Sequence, residues 1–147
     1  MTDVVPLLQV VPAMDGAAID RVRLLEGAAS ILEQVNIRTF HAFHAGLYAR
    51  TVFVPAGVCI TGALVKIPTL VTVSGHCLLY VGEGEPPREI TGYNVLNAES
   101  GRKQVFVALD DLAITMCFAT AARTVEEAEA EFTDETDLLL SRRQGGI

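Results

Sequence analysis

The sequence predicts a mainly β fold, an antiparallel sandwich or barrel, and three observations support this prediction. Short β-rich runs follow one another through the middle of the chain, turn residues separate them, and no helical pattern interrupts them. The runs are 47–54, 58–65, 70–73, 77–81, 89–96, 103–109 and 112–119, with turns at 55–57, 74–75, 82–87, 99–101 and 110–111. Strands that follow one another without helices pair with their neighbours, so this part should close around one core.

Helices are predicted on both sides of the strands. Residues 17–35 carry apolar side chains at three- and four-residue steps, which is typical of an amphipathic helix. Its predicted apolar face consists of Ala18, Ile19, Val22, Leu25, Ala28, Ala29, Leu32 and Val35. Thr124 and Glu127 form a capping-box pattern, which predicts a helix start there, and a second short helix should end at Arg142 and Arg143.

The chain should therefore form a single domain with three parts. These are an extended apolar arm (1–14), a helix plus barrel (15–122) and a helical C-terminal tail (123–147). Pro6 and Pro12 forbid a regular helix in the arm, which is either an edge strand on its own barrel or a segment that docks on a neighbouring subunit. The candidate interface residues are Val4, Val5, Leu7, Leu8, Val10, Val11, Leu138, Leu139 and Leu140.

Composition limits the class of partner. The net charge is −7, and the interval 126–137 holds seven acids without a lysine or arginine, which argues against binding to nucleic acid. No apolar run approaches the roughly 20 residues of a membrane helix, so no membrane partner is expected. Half of the residues are hydrophobic, which suggests that association hides some apolar surface. Cys59, Cys77 and Cys117 stand singly in apolar runs, which predicts buried thiols in a reducing compartment.

The residues able to carry chemistry do not form a recognisable set. His41 and His44, in a predicted linker, could join His76 as metal ligands, but polar side chains at a helix end or on the surface are the favoured interpretation. Ser74 has no strand–elbow–helix context, and Cys77 should point away from His76 into the core. The sequence therefore predicts no catalytic residue, no metal site and no cofactor.

Several short motifs together resemble a known group. They are GLYAR (46–50), PAG (55–57), TG (61–62), SG (74–75), GRK (101–103) and ALDD (108–111). Their arrangement resembles that of small cupin-fold proteins encoded by tailed bacteriophages and prophages, over about residues 17 to 143. The resemblance implies a cupin-like jelly roll, or double-stranded β-helix, with an N-terminal amphipathic helix and short C-terminal helices.

The same resemblance implies that the metal site has been lost. In metal-binding cupins, the motif after the glycine equivalent to Gly57 carries two histidines and a glutamate. Those positions fall here at Ala63, Val65 and Pro68 or Thr69. Many phage relatives show His-Lys-Thr-Glu-His, which aligns with residues 65–69, where only Lys66 is kept. The histidine of the second motif falls within 106–109, where this sequence has none.

The resemblance and the composition together favour a non-enzymatic virion structural protein, above all a capsid cement or decoration subunit. Its expected partners are copies of itself, as a dimer or trimer, and a major capsid or other virion protein. Its expected location is the virion, assembled in the cytoplasm of the bacterial host.

Other functions stay open. One is a metal-free cupin that binds a small molecule or sugar, or catalyses an isomerase-type reaction, in its barrel. Its candidate polar interior residues are Tyr48, Tyr80, Tyr93 and His76. The others are a tail or host-recognition accessory protein and a bacterial regulatory cupin.

Overall fold

The computed structural model describes residues 9–139, which form eight strands and two α-helices, followed by one 3-10 turn. In chain order these are β1 (Val10–Val11), α1 (Gly16–Ala29), β2 (Arg38–His44), β3 (Leu47–Val54), β4 (Cys59–Thr61), β5 (Thr69–Tyr80), β6 (Arg88–Ala98), β7 (Val105–Ala108), β8 (Leu112–Ala119), α2 (Val125–Phe132) and the 3-10 turn Thr136–Leu138. The prediction of a mainly β, cupin-like jelly roll with flanking helices is confirmed.

Strand β5 connects two layers of the barrel. The larger sheet has the order β1-β6-β5-β8-β3-β2, and β7 pairs both with β4 and with β5. Residues 70–74 of β5 pair with β8, whereas residues 77–80 pair with β7. One strand therefore serves both layers, and the main hydrophobic core lies between them, with Val71 and Val73 from its first half and Leu79 from its second.

The turn predicted at residues 74–75 is wrong, because both residues lie inside β5. Gly75 lies where β5 changes from pairing with β8 to pairing with β7. Its φ of +135° is a backbone conformation that residues other than glycine rarely adopt. A Cβ atom at Gly75 would lie 2.5 Å from the carbonyl oxygen of Asp111 and 2.8 Å from a methyl carbon of Leu112. The glycine therefore marks a bend with a close backbone approach rather than a chain reversal.

Helix α1 is shorter than predicted. Its first turn is capped by Asp15, whose carboxylate accepts a hydrogen bond from the amide of Ala18 at 2.8 Å. Only Ala18 and Val22 of its side chains are buried, in a cluster with Met14 and Val105. The helix ends at Ala29, and the apolar residues that the pattern assigned to its buried face beyond that point are exposed. The periodicity was correct for the first two turns and wrong for the rest.

The linker predicted around His41 and His44 is also wrong. Both histidines lie in β2, which pairs with β3 along its whole length through a tight turn at Ala45 and Gly46. These two residues have φ values of +53° and +73°, as the two-residue turn of a β-hairpin requires.

Helix α2 closes one end of the barrel. The predicted helix start at Thr124 is confirmed, since its hydroxyl accepts a hydrogen bond from the Glu127 amide at 3.2 Å. The other half of the capping box differs, because the Glu127 carboxylate accepts from the Thr124 hydroxyl at 3.0 Å. Ala128, Phe132 and Leu139 pack against Tyr48 of β3 and other core residues. The predicted second C-terminal helix is the 3-10 turn, and its predicted end at residues 142–143 lies outside the described residues.

A buried lysine joins both helical segments to the barrel. Lys103 is fully buried, and its ammonium lies 3.1 Å from a carboxylate oxygen of Glu26 in α1 and 3.3 Å from one of Glu135. The neighbouring Arg102 is also fully buried and donates to the carbonyl of Glu99 at 2.6 Å. Burial lowers the pKa of Arg102 to about 10, which still leaves it charged at neutral pH.

Candidate functional site

A cavity of about 150 Å³ lies between the two layers, beside α2 and the 3-10 turn. Its lining is mostly aliphatic and aromatic because alternate residues of each strand point inward. The lining residues are Ile37, Arg50, Val52, Ile60, Thr61, Gly62, Ala63, Val65, Gln104, Phe106, Ile114, Met116, Phe132, Leu138 and Leu139.

Three side chains with hydrogen-bonding groups interrupt this apolar lining. Arg50 donates to the Glu129 carboxylate at 2.9 Å and lies over the ring of Phe132, 5.7 Å from its centroid. Thr61 donates its hydroxyl to Glu26 at 3.2 Å. The side-chain nitrogen Nε2 of Gln104 is buried and has no hydrogen-bond partner within residues 9–139. Gln104 is therefore the polar group at the cavity with a donor still to be satisfied.

A row of polar side chains connects β2 to α2 next to this cavity. His41 Nδ1 lies 2.7 Å from the hydroxyl of Tyr48, and His41 stands opposite Arg50 in the register of β2 and β3. Burial, reinforced by the positive charge of Arg50, lowers the pKa of His41, so the imidazole is neutral at pH 7. Burial raises the pKa of Tyr48, which is fully buried. Neither His41 nor Tyr48 lines the cavity, so the row supports the wall of the site.

The polar residues expected inside the barrel do not line the cavity. Tyr93 is 70% exposed on the outside of the larger sheet. His76 lies at the surface with its Nε2 2.7 Å from a carboxylate oxygen of Glu89, and the Tyr80 hydroxyl donates to Glu83 at 2.7 Å. Of the four candidates, only Tyr48 has the expected internal position.

Gln104 was missed by the sequence reasoning. The signal was available, since it is an uncharged polar residue two positions before Phe106 in an apolar run, on the same side of the extended chain.

Three of the positions that the resemblance aligns with cupin metal ligands reach the cavity. Ala63, Val65 and Phe106 line it and offer only hydrocarbon, whereas Pro68 and Thr69 line a separate surface depression. No group of three or more His, Cys, Asp or Glu side chains between residues 9 and 139 is placed to hold a metal ion. The residues at the site therefore do not fit the metal that the fold family implies.

The predicted interface residues have mixed positions. Val11 belongs to the chain's own core, and β1 is an edge strand parallel to β6, whereas the side chain of Val10 is exposed. Leu139 is buried under α2, and Leu138 lines the cavity. Val4, Val5, Leu7, Leu8 and Leu140 lie outside the described residues.

The cysteines differ in burial. Cys77 is fully buried, as predicted, but Cys59 is exposed and Cys117 is only partly buried. The expectation of three buried thiols is therefore wrong for Cys59, which lies on the short strand β4. In the described part of the chain, no helix has the length and apolarity needed to cross a membrane.

Comparison with known proteins gives likenesses of fold. No protein-family model matches the chain, and no curated protein matches it. Among solved structures, a cupin superfamily protein from Desulfitobacterium hafniense is 10% identical over 63% of this chain and 86% of that chain, with a TM-score of 0.48.

Two other similar structures are named as enzymes. Ectoine synthase from P. lautus is 13% identical over 69% of this chain and 76% of its own, with a TM-score of 0.48. DMSP lyase DddQ from Ruegeria pomeroyi is 14% identical over 76% of this chain and 68% of its own, with a TM-score of 0.43. At these identities the activities in the names describe those proteins alone.

Proposed function

We propose that this protein is a metal-free jelly roll that binds a small, neutral, mostly apolar molecule in the cavity between its two layers. The observation that supports this proposal is the buried Nε2 of Gln104, which lines the cavity without a hydrogen-bond partner among the described residues. A buried donor that stays unpaired costs about 1–3 kcal/mol, and a ligand oxygen would remove that cost. The ligand should therefore carry one hydrogen-bond acceptor.

The size and lining of the cavity narrow the ligand class further. A volume of about 150 Å³ corresponds to roughly five waters, or to one compact ring, since a water occupies about 30 Å³ and apolar cavities of this size accept benzene. A sugar fits poorly, because each of its hydroxyls needs a partner and Thr61 and Arg50 already have theirs. The charge of Arg50 is compensated by Glu129, so a ligand carboxylate is not required.

A matched pair of probes tests this chemistry. Cyclohexanone and methylenecyclohexane have nearly the same shape, but only the ketone can accept a hydrogen bond. We expect cyclohexanone to bind and to shift the side-chain amide signals of Gln104 in ¹H–¹⁵N spectra, because its oxygen exchanges hydrogen bonds to water for one to the buried Nε2. The affinity of the ketone relative to that of the alkene therefore depends on this donor, which is worth about 1–3 kcal/mol.

Two variants provide the controls. Gln104→Met keeps the size of the side chain and removes the donor, so the affinity of the ketone relative to that of the alkene should fall about ten-fold or more, because the ketone oxygen is then buried without a partner. Ala63→Leu should fill the cavity and abolish binding of both probes while the fold is kept. The proposal fails if neither probe binds the unaltered protein, or if both bind Ala63→Leu as well as the unaltered chain.

A virion subunit is the second candidate function, and one observation favours it. Phe40 and Phe53 are about half exposed on the outside of the larger sheet, where a neighbouring subunit could cover them. None of the similar structures named above is described as a phage protein, so this function rests on the resemblance and on that surface. Quantitative mass spectrometry of phage particles from the source organism tests it: a copy number comparable to that of the major capsid protein supports a decoration subunit, and absence from particles removes it.

A further inference from the structure

The larger sheet has an outer side that no described helix covers. One row crosses five of its strands, with Phe40, Thr51, Thr115, Thr72 and Val95 standing next to one another in the register. We call this row, together with the residues at every second position along β2, β3 and β8 and within residues 70–74 of β5 and 93–97 of β6, the outer face. All of these residues are partly or largely exposed, whereas the intervening residues turn towards the core and are mostly buried. Helix α1 packs near β7, and α2 packs at one end of the barrel.

The outer face is almost free of charge. Within these ranges it contains no acid, and its one permanently charged residue is Arg38, at the end of the edge strand β2. Acids lie beyond its ends: Glu89, which pairs with His76 farther along β6, and Glu99, just after β6. A sheet face that meets water normally carries polar and charged side chains, and a fifth of this chain is charged. Depletion of charge is the compositional mark of an interface core.

The shape of the outer face also suits close packing. Its centre consists of small residues such as Ala49, Ala113 and Thr115, and the hydroxyls of Thr51 and Thr115 bond to each other at 2.7 Å. Larger apolar side chains stand around this centre, among them Phe53 and Leu70. A shallow depression of about 470 Å³ lies at one end of the face, between Leu47 and Leu70. A second sheet can therefore approach the centre closely while the rim residues fit around it.

We propose that two copies of this chain associate through their outer faces, sheet against sheet. With strands about 4.8 Å apart and residues about 3.4 Å apart, five strands and seven residues give roughly 570 Å² per copy. A dimer would bury about 1,100 Å², which is just above the roughly 1,000 Å² expected of a biological interface. Each copy carries a net charge of −7, so two copies repel one another least when they meet across a surface without acids. The same lack of acids argues against a cationic partner, because the outer face offers it no complementary charge. A self-complementary face gives a closed two-fold dimer.

The test is the oligomeric state of the full chain and of charge-insertion variants, measured by sedimentation equilibrium. We expect a dimer for the unaltered protein and a monomer for Thr115→Arg, with at least a hundred-fold weaker association. Leu70→Arg, which breaks no hydrogen bond of the described residues, is the second variant in case Thr115→Arg does not fold. Ala130→Arg, on the exposed side of α2, is the matched charge control and should remain dimeric. Circular dichroism checks that each variant is folded.

The opposite results overturn the proposal. The proposal is wrong if the unaltered protein stays monomeric when its concentration is raised 100-fold, or if it forms a trimer. It is also wrong if the dimer persists in both Thr115→Arg and Leu70→Arg. A dimer that dissociates only in Leu32→Arg would place the interface on the exposed residues that follow α1 instead. Ligand binding in the cavity is measured separately, so failure of this proposal leaves the proposed function standing.

Discussion

The ion pair between Arg50 and Glu129 holds α2 against the barrel, and replacing Glu129 by glutamine should weaken the protein strongly. Arg50 is 10% exposed and Glu129 is 1% exposed, so neither charge can return to water without movement of the helix. Glu129→Gln leaves the guanidinium buried over Phe132 without its counter-charge. Removal of one partner from a buried pair costs about 3–5 kcal/mol, and we expect a loss in this range.

The same substitution at an exposed pair provides the comparison. Lys66 and Asp134 also connect the barrel to the segment after α2, and their charged atoms are closer, at 2.6 Å, but their side chains are 42% and 85% exposed. Asp134→Asn should therefore cost less than about 1 kcal/mol, because water already screens this pair. Distance alone would predict the reverse order, so burial is the quantity that the comparison tests.

Urea unfolding followed by circular dichroism gives the free energy of unfolding of each variant. The reasoning is refuted if Glu129→Gln and Asp134→Asn cost the same, or if Glu129→Gln costs less than about 1 kcal/mol. The double variant Arg50→Met/Glu129→Leu separates the loss of a pair from the burial of a lone charge. It should regain most of the stability lost in Glu129→Gln, since apolar replacement of a buried pair is often neutral or stabilising.

Three further predictions concern other parts of the fold. Gly75→Ala should cost more than about 2 kcal/mol in urea unfolding, from backbone strain and overpacking, whereas Gly92→Ala, with open space around it, should cost about 1 kcal/mol. The folded protein disfavours protonated His41, so the associated stability is complete above the ordinary pKa of 6.5 and is lost as pH falls through the lowered folded pKa. When pH is decreased below 6.5, the urea midpoint should therefore decrease less steeply in His41→Gln than in the unaltered protein. Lys103→Met should cost about 2–4 kcal/mol and reduce hydrogen-exchange protection in α1, and equal protection would contradict its role in holding that helix.

The sequence predicted the strands well where side chains alternate between two environments. The predicted bounds of β3 and β8 match the structure to the residue, and a turn signal marks one end of each, at 55–57 after β3 and at 110–111 before β8. The errors have a common cause: the sequence shows a residue's local conformational preference, but its structural role depends on residues far away in the chain. Gly75 indicates a turn in isolation, and only the passage of Asp111 beside it shows that the strand continues.

The candidate site was less accessible to sequence reasoning. The resemblance located the right wall of the barrel, since Ala63 and Val65 do line the cavity, but it described only what that wall lacks. Whether the Gln104 donor has a partner among residues 9–139 depends on which neighbours are close enough to bond it, and that is a property of the packed structure. Tyr93 shows the converse error, because polarity alone does not tell which side of a strand faces inward.

The placement of charge connects the interior and the exterior of this protein. Its buried ions fasten elements together: Lys103 joins two helical segments to the barrel, and Arg50 joins α2 to β3. The cavity wall offers hydrocarbon at Ala63, Val65 and Phe106, which the resemblance aligns with metal-ligand positions, and the outer face offers almost no charge. The high hydrophobic content is therefore divided among a core, a cavity and an exposed sheet. A stable core needs neither an apolar cavity nor an apolar outer face. We therefore assign both surfaces to binding: the cavity to a small molecule and the outer face to a second copy of the chain.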